Sequence, residues 1–177
     1  DYYKNIYRST GRPHFVSPKS PTMPGHRHLG CMSNLSSMVD LSQVSTILEI
    51  GAGWGEMGML LLEHYPHISI YAIELDKHCQ DVLSERGYKI VESFKDIKNC
   101  NAEVVISIHC LEHFLSPMDF VDVYKPYISP NATVLLEVPN CRFGEGFEQR
   151  TYDSPHLLFF NSESMDKFAK LNNLEII

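Results

Sequence analysis

Four stretches of this 177-residue chain place side chains or bare backbone where chemistry could occur. The first, Glu49-Ile-Gly51-Ala-Gly53-Trp-Gly55, sets three glycines at alternate positions behind an acidic residue. Without a Cβ, glycine turns tightly and lets a ligand approach the main chain. The second is Glu74, about twenty residues on, where a carboxylate in such a unit meets a ribose. Its two oxygens can accept from both hydroxyls of a diol. The third, Ile108-His-Cys-Leu-Glu-His113, brings two imidazoles and a carboxylate close together. The fourth, Tyr152-Asp-Ser-Pro-His156, ends in a histidine just before Leu157-Leu-Phe-Phe160.

These groups need elements to hold them, and hydrophobic patterning supplies an alternation of strands and helices. Strands are expected at 46–50, 68–73, 88–91, 104–108 and 133–138. The first, fourth and fifth are nearly continuous apolar runs, as in a parallel sheet covered on both faces. Helices are expected at 56–64, stopped by Pro66, and at 77–86, with Asp76 as N-cap and Gly87 as stop. Another is expected at 117–127, with proline in its first turn, and a last one at 162–173. Short connections between parallel strands imply right-handed crossovers. Residues 139–154 read as a loop, and Leu174-Glu-Ile-Ile177 as the start of a further strand. Upstream, Pro13, Pro18, Pro21 and Pro24 break any helix across Gly11 to Gly30. Leu29, Met32, Leu35, Met38 and Val39 then recur at helical spacing.

The glycine loop follows a strand and opens a helix, whose first N–H groups are free. A pyrophosphate-binding loop wants glycine at the sixth motif position, and here that residue is Glu56, a carboxylate that repels phosphate. A nicotinamide dinucleotide is therefore disfavoured, and a nucleoside without phosphates, S-adenosylmethionine (SAM), is favoured. With these residues the chain resembles the class I SAM-dependent methyltransferases, whose first motif is an acidic residue followed by Gly-x-Gly-x-Gly. The resemblance runs from Thr46 to Ile177, through Glu74, Leu111-Glu-His113, Leu135-Leu-Glu-Val-Pro-Asn140 and Pro155-His-Leu-Leu-Phe-Phe160. It implies a Rossmann-like, doubly wound α/β fold with a mostly parallel sheet, helices on both faces and C-terminal strands cut short.

By that resemblance, Glu49, Gly51, Ala52 and Gly53 line the methionine end of SAM, and Glu74 takes the ribose. Leu75, Ser93 and Phe94 border the adenine, and His109 contacts the cofactor near its sulfonium. At Ser93–Phe94 the family often carries an aspartate. Sugar methyltransferases resemble the chain again in the tyrosine- and histidine-rich segment that Tyr152 and His156 match, although Pro155 stands where they have a glutamate.

Methyl transfer needs a base only when the acceptor must lose a proton. His156 is the leading candidate, with Tyr152 beside it, and His113 with Glu112 the alternative. No metal site is expected. His109 and His113 share i,i+4 spacing, but a strand should end between them. His26-x-His28-x-x-Cys31, with His14 nearby, offers an incomplete zinc set and reads as a proline-broken surface loop.

An acidic balance, 22 carboxylates against 15 basic residues for a formal charge of −7, makes nucleic acid a disfavoured partner. No apolar run is long enough to span a membrane. Five cysteines without paired spacing read as free thiols of a cytoplasmic protein. The expected organisation is an irregular, then helical lid segment over 1–45, followed by a SAM-binding methyltransferase domain over 46–177. The expected partner is a small-molecule acceptor, a sugar or sugar nucleotide by class, and a homodimer is left open.

Overall fold

The computed structural model describes residues 23–91, 100–141 and 156–177. Among these residues five strands form one sheet: β1 (Thr46–Ile50), β2 (Ser69–Ile73), β3 (Lys89–Ile90), β4 (Ala102–Ile108) and β5 (Ile128–Glu137). Their order is β3-β2-β1-β4-β5, and every pairing is parallel. The Rossmann-like α/β expectation therefore holds, with the sheet wholly rather than mostly parallel among the described residues. The order reverses between β1 and β4, and at such a switch point a crevice opens beyond the carboxyl ends of the strands.

Both faces of the sheet are covered. Ile47, Ile70, Val104 and Ile106 pack with Cys31 and Leu35 of α1 (His26–Met38), Met57 and Leu61 of α2 (Glu56–His64), and Leu83 of α3 (Lys77–Glu85). Leu48, Ile50 and Val105 point the other way, toward Phe120 and Tyr124 of α4 (Pro117–Tyr124) and Phe168 of α5 (Ser162–Leu171). The period-two alternation of a strand divides its apolar residues between these two cores.

Local chemistry sets the helix ends. Asp76 accepts from the backbone N–H groups of His78 and Cys79, capping α3 as expected. Gly87, at φ +88, ends that helix, and Tyr88 N–H returns to the Leu83 carbonyl. Ser116 caps α4, with Pro117 in its first turn.

Three expectations change. Residues 26–31 are helical and open α1 directly after Pro24, so His26, His28 and Cys31 do not stand on a surface loop. Strand β5 begins five residues earlier than its apolar run, crossing Pro130 and Asn131. Its register against β4 jumps from Ala102–Ile128 to Val104–Thr133, a bulge that absorbs the extra residues. Proline is tolerated there because, among the described residues, β5 pairs on one side only. Residues 174–177 pair with no strand among the described residues; Leu174 N–H instead closes the end of α5 on the Ala169 carbonyl. All five cysteines are free thiols, and no described helix is long and apolar enough to cross a membrane.

Candidate active site

Beyond the carboxyl ends of β1 and β4 lies a cavity of about 500 Å³. Gly51, Gly53, Glu74, Leu75, His109 and His113 line it, all singled out from sequence, together with Phe114, Leu115 and Val123. The glycine loop shapes one wall. Gly51, Gly53 and Gly55 all take positive φ (70°, 55° and 80°), which explains the alternation of glycines. A Cβ on Gly51 would strike the side chain of Cys110, and one on Gly55 would lie 2.7 Å from Leu83. A Cβ placed on Gly53 would meet nothing within 4 Å, so on that side the backbone faces open space.

Glu74 is held from both sides. Gly53 N–H donates to Oε2 at 2.9 Å and Asp76 N–H to Oε1 at 2.8 Å. Each oxygen thereby accepts a backbone bond, which fixes the orientation of the carboxylate. Gly51 N–H meanwhile donates to the Ile73 carbonyl at 2.8 Å, tying the loop to the end of β2.

Glu49, Ala52 and His156 are not among the residues that line the cavity. Glu49 is buried behind the loop, where Tyr88 Oη donates to it at 2.8 Å. Burial pushes its carboxyl up to about 8, against the opposing effect of the Tyr88 bond. Through Tyr88 it braces the loop from behind. Ser93, Phe94 and Tyr152 lie outside the described residues.

The second wall is built at the ends of β4 and β5. His109 leaves β4 at φ +52, and residues 111–113 follow as a single tight turn. Glu112 is 1% exposed, and neither carboxylate oxygen has a hydrogen-bond partner among the described residues. Its Oε1 lies 3.5 Å from His109 Nδ1 and 3.9 Å from His156 Nε2. Burial pushes its carboxyl up to about 7, while its own backbone N–H and Arg27 act the other way. Glu112 also fixes the irregular segment after His156 through its carbonyl, which accepts from Leu157 N–H at 2.8 Å and Leu158 N–H at 3.0 Å. That pins His156 beside it, with the His113 and His156 rings edge to face at 5.0 Å.

A further carboxylate escaped the sequence reading. Glu137, closing β5, meets His109 Nε2 at 3.2 Å, Arg27 Nε at 3.1 Å and the donating Cys31 thiol at 2.9 Å. Its signal was a charge at the carboxyl end of a buried apolar strand, beside the switch point. Burial holds the His109 imidazolium below its usual range, with Arg27 adding to the effect. A neutral ring has one N–H, and the shorter contact assigns it to Nε2 and Glu137, leaving Nδ1 to accept.

A family model described as a methyltransferase domain matches residues 23–177. A ribosomal RNA small subunit methyltransferase A from Persephonella marina is 33% identical over 70 residues, 40% of this chain and 23% of that protein. A SAM-dependent methyltransferase from Archaeoglobus fulgidus superposes with a TM-score of 0.59 at 16% identity, over 83% of this chain and 68% of the other. Phosphoethanolamine N-methyltransferase 2 from Haemonchus contortus, in complex with S-adenosyl-L-methionine, gives 0.60 at 15% identity, over 84% and 37%. At these identities the structural likeness is one of fold. The chain spans between 23% and 68% of the length of these relatives.

Proposed function

The chain belongs to the methyltransferase-domain family, and from that premise we propose that it transfers a methyl group from SAM to a small polar acceptor, a sugar or sugar nucleotide by class. The observation that carries the reading is Glu74, oriented by the Gly53 and Asp76 amides at an apolar cavity on the sheet's switch point. The cavity fits the cofactor on three counts. Its volume suits a nucleoside-sized ligand. The space above Gly53 admits atoms that a Cβ would exclude, and the wall of Leu75, Phe114, Leu115 and Val123 is apolar.

Glu74 holds the ribose diol, Gly51 and Gly53 line the methionine end, and Leu75 packs on the adenine, with Ser93 and Phe94 assigned to its edge by family resemblance. SAM supplies an activated methyl group on a sulfonium. The chain's own residues align the acceptor, keep water out and take its proton. His156 takes that proton, with Glu112 and His113 orienting it and Tyr152 assigned to the acceptor's side. His109, which lines the cavity, is assigned to the cofactor near its sulfonium. The helical end of the 1–45 segment, proposed to cover the site, is anchored by Arg27 on Glu137.

Isothermal titration with SAM and NADH, on wild type, Glu74→Ala and Glu74→Gln, tests the reading. SAM should bind with micromolar affinity, about 8 kcal/mol, and lose at least about tenfold, roughly 1.4 kcal/mol, in Glu74→Ala. NADH should not bind. A folded wild-type chain that binds no SAM overturns the proposal and leaves a methyltransferase-like module that acts through partners.

A further inference from the structure

Glu112, His113 and His156 each offer one ligand atom, and these atoms all lie within 4.8 Å of one another. Neither of the metal sets weighed from sequence converges in this way among the described residues. His28 Nδ1 accepts from Gly25 N–H, and the Cys31 thiol is committed to Glu137. The converging set is of a different kind. A cation about 2.1 Å from each donor would place the donors roughly 3–3.6 Å apart, so closure asks each side chain for about 1 Å or less. The backbone is already fixed, since the Glu112 carbonyl holds Leu157 and Leu158.

A second observation points to a ligand. Glu112 is 1% exposed, yet both its oxygens lack a hydrogen bond among the described residues, and Oε1 faces His156 across 3.9 Å. Burying a carboxylate without hydrogen bonds is costly, and the usual resolutions are a proton, a paired charge or a metal. His109, 3.5 Å from the same oxygen, is itself held by Glu137, as an outer group that orients a ligand would be.

We propose that Glu112, His113 and His156 bind a divalent transition-metal cation of the zinc and cobalt class, and that this cation anchors an oxygen of the methyl acceptor. Two imidazoles and one carboxylate are a borderline donor set that suits such ions and leaves coordination positions open. His113 lines the cavity, so the cation would stand in its wall. There an acceptor hydroxyl, or a vicinal diol binding through both oxygens, completes the coordination. The coordinated O–H becomes more acidic and releases its proton to solvent, and the oxygen's electron pair then forms the new bond to the methyl carbon as the sulfonium C–S pair departs with sulfur. His156 in that state binds the cation in place of the proton. The metal site stands on its own geometry; its role toward the acceptor rests on the methyl-transfer reading.

The test strips the 177-residue chain with a chelator and titrates Co²⁺ and Zn²⁺, following cobalt absorption and heat, with SAM binding measured on the same samples. One equivalent should bind, and His156→Ala and Glu112→Gln should each weaken it at least about tenfold while His28→Ala does not. In wild type, Zn²⁺ should shift the ring resonances of His113 and His156 in NMR spectra, a readout that survives if a variant fails to fold. Absence of a one-to-one complex, shifts confined to other histidines, or binding that persists in both variants overturns the metal site. SAM binding without metal binding removes this inference alone; metal binding without SAM binding removes the acceptor role and the methyltransferase reading, and keeps the site.

Discussion

The two walls of the cavity satisfy their polar groups in opposite ways. On the glycine-loop side, Glu74 receives two backbone N–H bonds, Glu49 receives Tyr88, and the Gly51 amide is tied to the end of β2. On the histidine side, Glu112 is buried with no hydrogen bond among the described residues, His109 bridges two carboxylates, and burial pushes Glu112 up to about 7. One wall is finished before any ligand arrives. The other holds electrostatic stress that a proton, a cation or an acceptor would relieve. That division suits a common cofactor on the settled wall and the reaction-specific work on the stressed one.

The largest expected effect tests whether the walls can be separated. His156→Ala should lower turnover by about 10²–10⁴-fold, whether the imidazole holds a proton or a cation. SAM affinity should stay within about twofold, because the lost interaction belongs to the transition state. Steady-state kinetics beside calorimetry decides this. Equal losses in turnover and in SAM affinity would mean that the two walls act as one unit.

Within the glycine-loop wall, two alanines sharpen the contrast between support and contact. Gly51→Ala meets both positive φ and the side chain of Cys110, so it should destabilise the fold by about 1–3 kcal/mol. Gly53→Ala meets only the φ penalty, about 1–2 kcal/mol or less, because nothing lies within 4 Å of its Cβ. It should nevertheless weaken SAM, whose atoms would use that space. Thermal melts with and without SAM separate the two: Gly51→Ala shifts the melt of the free protein more, and Gly53→Ala shrinks the increment that SAM adds.

Glu49 gives the comparison a pH axis. Its folded carboxyl is raised from 4.5 to about 8, so the folded state keeps a proton that the unfolded chain releases. Its contribution is greatest below the unfolded value and falls as pH rises through the window from about 5 to about 8. Glu49→Gln keeps an acceptor for Tyr88 and removes the titration, so its melting temperature should depend less on pH across that window and exceed wild type at the upper end. A wild-type melting temperature that climbs from pH 5 to pH 8, with no change in slope in the variant, contradicts this account.

The same contrast explains what the sequence made legible. The settled wall is local: Gly51, Gly53, Glu74 and the Asp76 cap follow one strand-loop-helix-strand run, and their spacing carries the geometry. The sheet was equally plain, because buried parallel strands are continuous apolar runs. The stressed wall joins residues far apart in the chain. Glu112 is near His113 in sequence, but only the sheet brings His156 and Glu137 to it. The Glu112 carbonyl that fixes His156 is backbone and leaves no mark in residue types. Residues 26–31 misled because prolines upstream suggested continued irregularity, whereas Pro24 ends the break and α1 follows at once. Pro130 and Asn131 likewise signal a turn, and a bulge in an edge strand accommodates them.

The smallest expected effect asks whether α1 belongs to the stressed wall. The Cys31 thiol is buried, pushed up to about 12 by burial and by Glu137, and donates to that carboxylate. Deleting a hydrogen bond to a charged acceptor costs about 1.5–3 kcal/mol when the acceptor stays buried, but Glu137 is one-third exposed and retains Arg27 and His109. Cys31→Ala should therefore cost only about 1 kcal/mol, including the small cavity, and Cys31→Ser, which keeps a donor, less still. If α1 merely fills space, the order reverses, because serine buries a hydroxyl where alanine buries none. Chemical denaturation of the two variants supplies the sign, and the sign tells whether the helix is tied to the histidine wall by chemistry or only by packing.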